Sequence, residues 1–325
     1  MTTGPDYRPP WWYRGRHLQT LWGPLLRRGR EPVLRRERVE MADGDFLDLD
    51  WLAGRDRGVP LVVILHGLEG SSRSHYASGL LRELEHVGWR GVVVNFRSCS
   101  GEVNRSRRMY HSGDTEDIDF VLRRLIAREP KIRLGLVGVS LGGNVALKWL
   151  AERGEEGPAQ VAGAVAISTP FNLAACAAAL DRGLNRAMYT ANFLLTMKAK
   201  LEKKADLYEG LIDLSAARKA KTFAEYDRHV TAPLGGFASE RDYWARSSSG
   251  PLLPQIRRPT LLINALNDPF IPASSLPGAV IAKSRWLEAN FVPEGGHAGF
   301  LAGAKGDRSW AEARAVEFLR RHLVG

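Results

Sequence analysis

Apolar and polar positions alternate in blocks along this chain. Leu61-Val62-Val63-Ile64-Leu65 is a continuous apolar run without polar alternation, the pattern of a strand buried on both faces of a parallel sheet. Within His75 to Val87, Leu80, Leu81, Leu84 and Val87 recur at helical spacing, which marks one face of a helix. Gly91 to Phe96 reads as a second buried strand, and Thr115 to Ala127 as a helix opened by Asp114 or Thr115, residue types that cap helices. Leu134 to Gly138, Ser140 to Arg153 and Val161 to Ile167 repeat the cycle of strand, helix and strand. This alternation predicts an α/β chain with a mostly parallel central sheet and helices on both faces.

The rhythm stops after the fourth of these strands. Residues 171–255 hold no buried apolar run, only helical, basic and aromatic stretches such as Arg186 to Lys204 and Ser215 to Arg228. It resumes with strands at Thr260 to Asn264 and near Trp286 to Val292, then a last helix from Trp310 to Leu323. The predicted organisation is one core formed by 1–170 and 256–325, with a helical cap or lid inserted over 171–255. Ahead of the core, Arg38 to Trp51 alternates around Asp43-Gly44-Asp45, a hairpin signal. Residues 1–36 form an arm rich in Pro, Trp and Arg, in which Pro9-Pro10-Trp11-Trp12-Tyr13 reads as an extended segment that packs its rings on the core.

Composition narrows the class. Hydrophobic residues make up 44% and charged residues 25%, ordinary globular values that exclude a disordered chain. Two cysteines, Cys99 and Cys176, build no disulfide framework and no CxxC pair. Met1 to Arg16 has no apolar signal region. No stretch approaches the ~18 apolar residues of a membrane span. A cytoplasmic protein is expected. The net charge is +10, and residues 1–40 contain nine arginines against four acidic residues. Such an arm reads first as a solvated basic surface, with weak peripheral contact with an anionic membrane as the alternative. No nucleic-acid recognition motif accompanies it, so nucleic acid is not an expected partner. Nothing in the sequence speaks to oligomeric state.

The candidate chemistry centres on Gly138-Val139-Ser140-Leu141-Gly142, a GxSxG pentapeptide. Alone it arises by chance in about one chain in ten of this length. Its setting carries the weight, because it ends a buried strand and opens a helix, as a nucleophile elbow requires. The helix N-terminus aims free N–H groups and a positive dipole end at a developing oxyanion. A serine nucleophile needs a base, and the base an acid to orient it. Asn267-Asp268-Pro269 follows the Thr260 to Asn264 strand, and Gly295-Gly296-His297-Ala298-Gly299 follows the strand ending near Val292. Asp268 and His297 are therefore expected on the same rim as Ser140. His66-Gly67-Leu68-Glu69-Gly70 follows the first buried strand. The backbone N–H groups of Leu68 and Leu141 are the expected oxyanion donors, with His66 buttressing the loop.

Several segments together resemble an α/β-hydrolase, and more narrowly the YheT-like branch of hydrolases, which also includes eukaryotic α/β-hydrolase-domain lipases. They are Pro9 to Trp12 with His17-Leu18-Gln19-Thr20, His66 to Ser72, Asn95 to Gly101, Tyr110 to Gly113, Gly138 to Asn144, Asn267 to Pro269 and Gly295 to His297. The resemblance spans nearly the whole chain. It implies a serine hydrolase acting on lipid or short-chain acyl esters and carries the triad onto Ser140, Asp268 and His297. The one departure noted is Ser98, where the family's stretch has glycine. The expected reaction is carboxylic ester cleavage through an acyl-enzyme, with short- to medium-chain acyl groups and no metal or organic cofactor. A lipase or phospholipase working at a membrane surface is the alternative, and a non-catalytic interaction protein of the same fold ranks below it. Expected substrate contacts are His66, Gly67, Tyr110, His111, Phe171 and Phe193, with Tyr189, Leu194 and Met197 as further lid residues. Arg105, Arg107 and Arg108 read as solvated charge, and Cys99 as a small buried filler.

Overall fold

The computed structural model describes residues 7–27, 29–54, 58–303 and 306–324, so the first six residues and Arg28 of the predicted arm lie outside the described residues. Eight strands form one sheet: β1 (Leu34–Glu40), β2 (Phe46–Leu52), β3 (Leu61–Leu65), β4 (Arg90–Asn95), β5 (Leu134–Val139), β6 (Val161–Ile167), β7 (Thr260–Ala265) and β8 (Leu287–Val292). Their spatial order is β1-β2-β4-β3-β5-β6-β7-β8. β1 and β2 form the antiparallel hairpin, β2 joins β4 antiparallel, and every later pairing is parallel.

Side chains alternate across a strand, and β3 shows why its run is wholly apolar. Leu61, Val63 and Leu65 face one core, shared with Ile118, Val121 and Leu122 of helix α3 (Glu116–Arg128) and Val145 and Leu147 of α4 (Leu141–Arg153). Val62 and Ile64 face the other, shared with Leu80 and Leu81 of α2 (His75–His86) and Ala315 and Leu319 of the C-terminal helix Trp310–Leu323. With both faces covered, no position of β3 is left for a polar residue. The loops after β3, β5, β7 and β8 leave the sheet at its carboxyl edge, where α/β sheets bind ligands.

Between β6 and β7 the chain forms helices Leu173–Leu180, Ala191–Glu202, Leu214–Lys219 and Glu240–Ser247, joined by shorter turns. This block packs on its own small core, which includes Leu194, Leu201, Tyr208, Phe223, Tyr226 and Val230. That is why its sequence shows no strand rhythm. The helix expected over Ser215 to Arg228 is broken. Thr222 caps a new turn, its side chain accepting from the Glu225 N–H.

The arm differs from its reading in two ways. Tyr13 is buried and Trp12 packs on Trp22 with ring centroids 4.7 Å apart, but Trp11 is 82% exposed. A helix, α1 (Arg16–Leu26), then follows that the pattern does not predict, because it turns Gln19, Thr20 and Gly23 inward and leaves Leu18, Leu25 and Leu26 exposed. Much of the arm's charge is consumed within the chain. Arg27 grips Glu312 of the C-terminal helix with both guanidinium nitrogens, Arg30 pairs with Glu85, and Arg36 and Arg38 bind the buried carboxylates of Asp50 and Asp48. Among the described residues no helix is long and apolar enough to cross a membrane.

Candidate active site

Ser140 sits where β5 ends and α4 begins, at φ 55° and ψ −121°. A non-glycine residue with positive φ is strained by about 1–2 kcal/mol. The surroundings hold it there: the Ser140 N–H donates to the Ile167 carbonyl at 2.8 Å, and its carbonyl accepts from the Asn144 N–H at 3.1 Å. The turn is tight because α4 lies directly on β3. A Cβ at position 142 would stand 2.3 Å from the Leu65 carbonyl oxygen. Asn144, wholly buried, donates to the Ser112 and Ser247 carbonyls and accepts from the Ser249 N–H, tying α4 to the Tyr110 segment and to the end of the helical block.

His297 and Asp268 meet Ser140 from two other loops. The Ser140 Oγ lies 2.9 Å from His297 Nε2, and His297 Nδ1 lies 2.8 Å from Asp268 Oδ2. The ionised carboxylate only accepts, so Nδ1 carries the ring proton and Nε2 is left to accept from the serine hydroxyl. The other oxygen of Asp268 accepts from the N–H groups of Phe270 and Ile271 at 2.8 and 3.3 Å. The Phe270 ring stacks on the imidazole with centroids 4.1 Å apart and covers one face of it. The Ala298 N–H donates to Ser168 Oγ at 2.9 Å, which pins the turn after the histidine to the end of β6.

The inward face of α1 fastens these loops together, a role the sequence did not reveal. Gln19 Oε1 accepts from Asn267 Nδ2 at 2.8 Å and from the Gly295 N–H at 3.0 Å, so one side chain spans the acid loop and the histidine loop. Thr20 Oγ1 accepts from the His297 N–H at 3.0 Å. Two of the glycines around His297 have the same cause. A Cβ at position 299 would fall 2.1 Å from the Gln19 carbonyl oxygen and one at 296 would fall 2.8 Å from the Thr20 nitrogen, so they admit the helix, whereas one at 295 would meet the Phe300 ring. The only sequence signal was the His17 to Thr20 segment in the family resemblance.

The loop after β3 is braced on every side but one. His66 is buried and neutral, its pKa pushed down to about 4 by burial. Its Nδ1 lies 2.7 Å from the Gly67 carbonyl, and its Nε2 accepts from the Phe96 N–H at 3.0 Å. The Gly67 N–H donates to Tyr76 Oη, the Glu69 N–H to Tyr110 Oη, and the Gly70 N–H to the Gly67 carbonyl. Among the described residues no protein acceptor takes the Leu68 N–H. Gly67 backs directly on the nucleophile, since a Cβ there would lie 3.2 Å from the Ser140 Cβ. The Leu68 N–H is thus free beside the start of α4, where Leu141 offers its own.

A cavity of about 120 Å³ opens from Ser140 and His297 under the helical block, walled by residues that include Leu173, Phe193, Met197, Phe223, Trp244 and Ile271. A wider groove of about 660 Å³ leaves on the other side, between α1, α2 and the block, and passes Gly67, Arg73, Tyr76, Arg82, Tyr189 and Asn192. Of the expected contacts, Phe193, Tyr110 and His111 line the cavity and Gly67 the groove. His66 lines neither; it is spent on the loop. Phe171 is a correction: its ring is 1% exposed in the core with Leu253 and Ile256, and the cavity wall is taken by Pro170 and Leu173 instead. Leu194 turns into the block's own core. Arg105 and Arg108 are held by Glu40 and by Asp114 with Glu116 rather than simply solvated. Ser98 stands at φ 63°, a backbone position that favours the family's glycine. Its Oγ accepts from the Asn104 N–H at 3.0 Å, which offsets part of that strain. Among the described residues no group of three His, Cys, Asp or Glu side chains is placed to hold a metal ion.

Comparison with known proteins agrees with this fold. A family model described as alpha/beta hydrolase fold matches residues 60–304. YheT of Escherichia coli (strain K12), carried under an esterase name, is 36% identical, over 99% of this chain and 95% of its own length. Phospholipase ABHD3 of Homo sapiens is 27% identical, over 93% of this chain and 75% of its own. A solved esterase of Pyrococcus furiosus superposes with a TM-score of 0.58 at 19% identity, covering 90% of this chain and 93% of that one, a likeness of fold.

Proposed function

The chain belongs to the alpha/beta hydrolase fold family, and from that footing we propose that it is a serine hydrolase cleaving carboxylic esters through an acyl-enzyme. The observation that carries this is the unbroken line Ser140–His297–Asp268 at 2.9 and 2.8 Å. His297 Nε2 takes the Ser140 hydroxyl proton as Oγ attacks the ester carbonyl. The N–H groups of Leu68 and Leu141 receive the oxyanion. His297 returns the proton to the leaving alcohol, and water repeats the sequence to release the acid. Asp268 keeps His297 in its tautomer and supports the imidazolium. No step calls for a metal or an organic cofactor.

In this reading the helical block over 171–255 is a lid. The apolar cavity beneath it takes the acyl chain, and the wider, more polar groove takes the alcohol. Short- to medium-chain esters fit a cavity of about 120 Å³ walled by Phe193, Phe223 and Trp244. With p-nitrophenyl esters from acetate to palmitate, kcat/KM is expected to peak at or below the octanoate and fall by palmitate. Absence of hydrolysis overturns the proposal, and a maximum at palmitate overturns the chain-length reading.

Gln19 supplies a second prediction. Gln19→Leu removes the shared clamp on the acid and histidine loops and leaves them joined by the Gly296 N–H to Asn267 Oδ1 bond and the His297–Asp268 pair; about 1 Å of misplacement costs roughly 10² in rate. Steady-state kinetics should show kcat reduced by about 10- to 100-fold with KM little changed. A change confined to KM would contradict the positioning role.

One observation favours action at a lipid surface. Trp11, Leu25 and Leu26 of the arm are exposed apolar side chains, and Leu21 and Pro24 of the same segment line the groove. On this variant, sedimentation with anionic vesicles falls when Leu25 and Leu26 are both changed to serine and again at high salt. Unchanged sedimentation removes it.

A further inference from the structure

Glu69, the residue after the proposed oxyanion donor Leu68, has φ 56° and a carboxylate only 8% exposed. Its N–H donates to Tyr110 Oη at 2.9 Å, and Tyr110 Oη donates back to Glu69 Oε1 at 2.9 Å. These two bonds close a small ring that fixes the backbone in its strained form. Tyr110 is itself fixed, stacked on Phe96 with rings 3° from parallel. The third partner comes from elsewhere. Lys200, on the lid helix Ala191–Glu202, donates to the same Oε1 at 2.8 Å and is 20% exposed. Lys200 Nζ also lies 3.3 Å from Cys99 Sγ. Burial pushes that thiol up to about 11, so it stays neutral and Glu69 is the lysine's counter-charge.

The same helix reaches the acyl cavity. Phe193, Met197 and Lys200 stand at i, i+4 and i+7, one face of a helix. Phe193 and Met197 wall the cavity, and Lys200 holds the oxyanion loop. Lifting the helix takes away the acyl-chain wall and the cation at once. It leaves a buried carboxylate with no charge partner, which is strongly unfavourable. The loop then has reason to relax from its left-handed turn, and the Leu68 N–H goes with it.

We propose that Lys200 is a positioning residue: through its ion pair with Glu69 it makes the oxyanion loop competent only when the lid helix is seated on the acyl cavity. This rests on the serine hydrolase reading above and adds to it a coupling between acyl-chain binding and oxyanion stabilisation. Substrate that fills the cavity steadies the helix, and the helix steadies the donor needed in the transition state.

The test compares Lys200→Met, Lys200→Arg and Glu69→Gln with the unaltered chain, using p-nitrophenyl butyrate and a trifluoromethyl ketone inhibitor. Losing an oxyanion donor typically costs ~10²–10³ in turnover. Lys200→Met should lower kcat by about 100-fold with KM within about twofold, and weaken the ketone by a similar factor. Lys200→Arg, which keeps the charge, should recover most of both. If Lys200→Met fails to fold, Glu69→Gln carries the test, since it keeps the hydrogen-bonding shape without the charge and should show the same kcat loss. A kcat within about threefold of the unaltered chain, or a change in KM alone, overturns the proposal. An unaltered chain without Ser140-dependent hydrolysis overturns the parent reading instead.

Discussion

In the His297→Ala variant, kcat for p-nitrophenyl butyrate falls by about a millionfold while KM stays nearly constant. The histidine is the only group within reach of the Ser140 hydroxyl proton among the hydrogen bonds that the described residues make. Without it the serine is a weakly acidic alcohol. Deletions in a cooperating triad are strongly non-additive, so one loss removes nearly the whole effect. The residue left behind still has the Leu68 and Leu141 N–H groups, so activity about 10³–10⁴ above water is expected to remain. Asp268→Asn should cost less, about 10⁴, because it spoils the tautomer and not the geometry. Burst and steady-state kinetics on both variants measure this order. A loss below about 10² in His297→Ala would show that another group activates Ser140.

Gly142→Ala should cost both stability and turnover, for a reason visible only in three dimensions. Its Cβ would meet the carbonyl oxygens of Leu65 and His66 at 2.3 and 2.6 Å, which are backbone atoms with no rotamer to give way. Relief requires the first turn of α4 to move off the end of β3. Overpacking of this kind costs about 3 kcal/mol or more. The displacement also separates the Leu141 N–H on α4 from the Leu68 N–H beyond β3, which takes the oxyanion site apart. Turnover should drop by about 10² or more. Urea denaturation and kinetics on the same preparation read the two effects. A variant within about 1 kcal/mol of the parent that keeps its turnover would contradict this account of the elbow.

What was legible in the sequence was what local rhythm encodes. β3, β4, β5 and β7 are buried on both faces, so their apolar runs stand out. Ser140 and Asp268 follow two such strands, β5 and β7, and His297 follows the half-buried β8; strand ends at one sheet edge bring their loops together. Polar partners joined across long stretches of chain have no period and left no trace in that rhythm. Gln19 reaches Gly295 across 276 positions, and Lys200 reaches Glu69 across 131. α1 escaped notice because its buried face is Gln19, Thr20 and Gly23, the reverse of the usual apolar stripe. Phe171 was misplaced for a related reason. An aromatic residue just beyond a strand suits a pocket or a core equally well, and only its burial in the core that also holds Leu253 and Ile256 decides. Ser98 shows the limit of resemblance: the backbone keeps the left-handed turn that glycine would favour, and Asn104 holds the serine in it.

The most direct measurement is to treat the folded chain with a fluorophosphonate and locate the adduct by peptide mass mapping. Attack by Ser140 Oγ on phosphorus expels fluoride and leaves a stable ester on the serine. The account predicts one adduct, on Ser140, and none in Ser140→Ala. A folded chain that stays unlabelled, or an adduct that persists in Ser140→Ala, would contradict it.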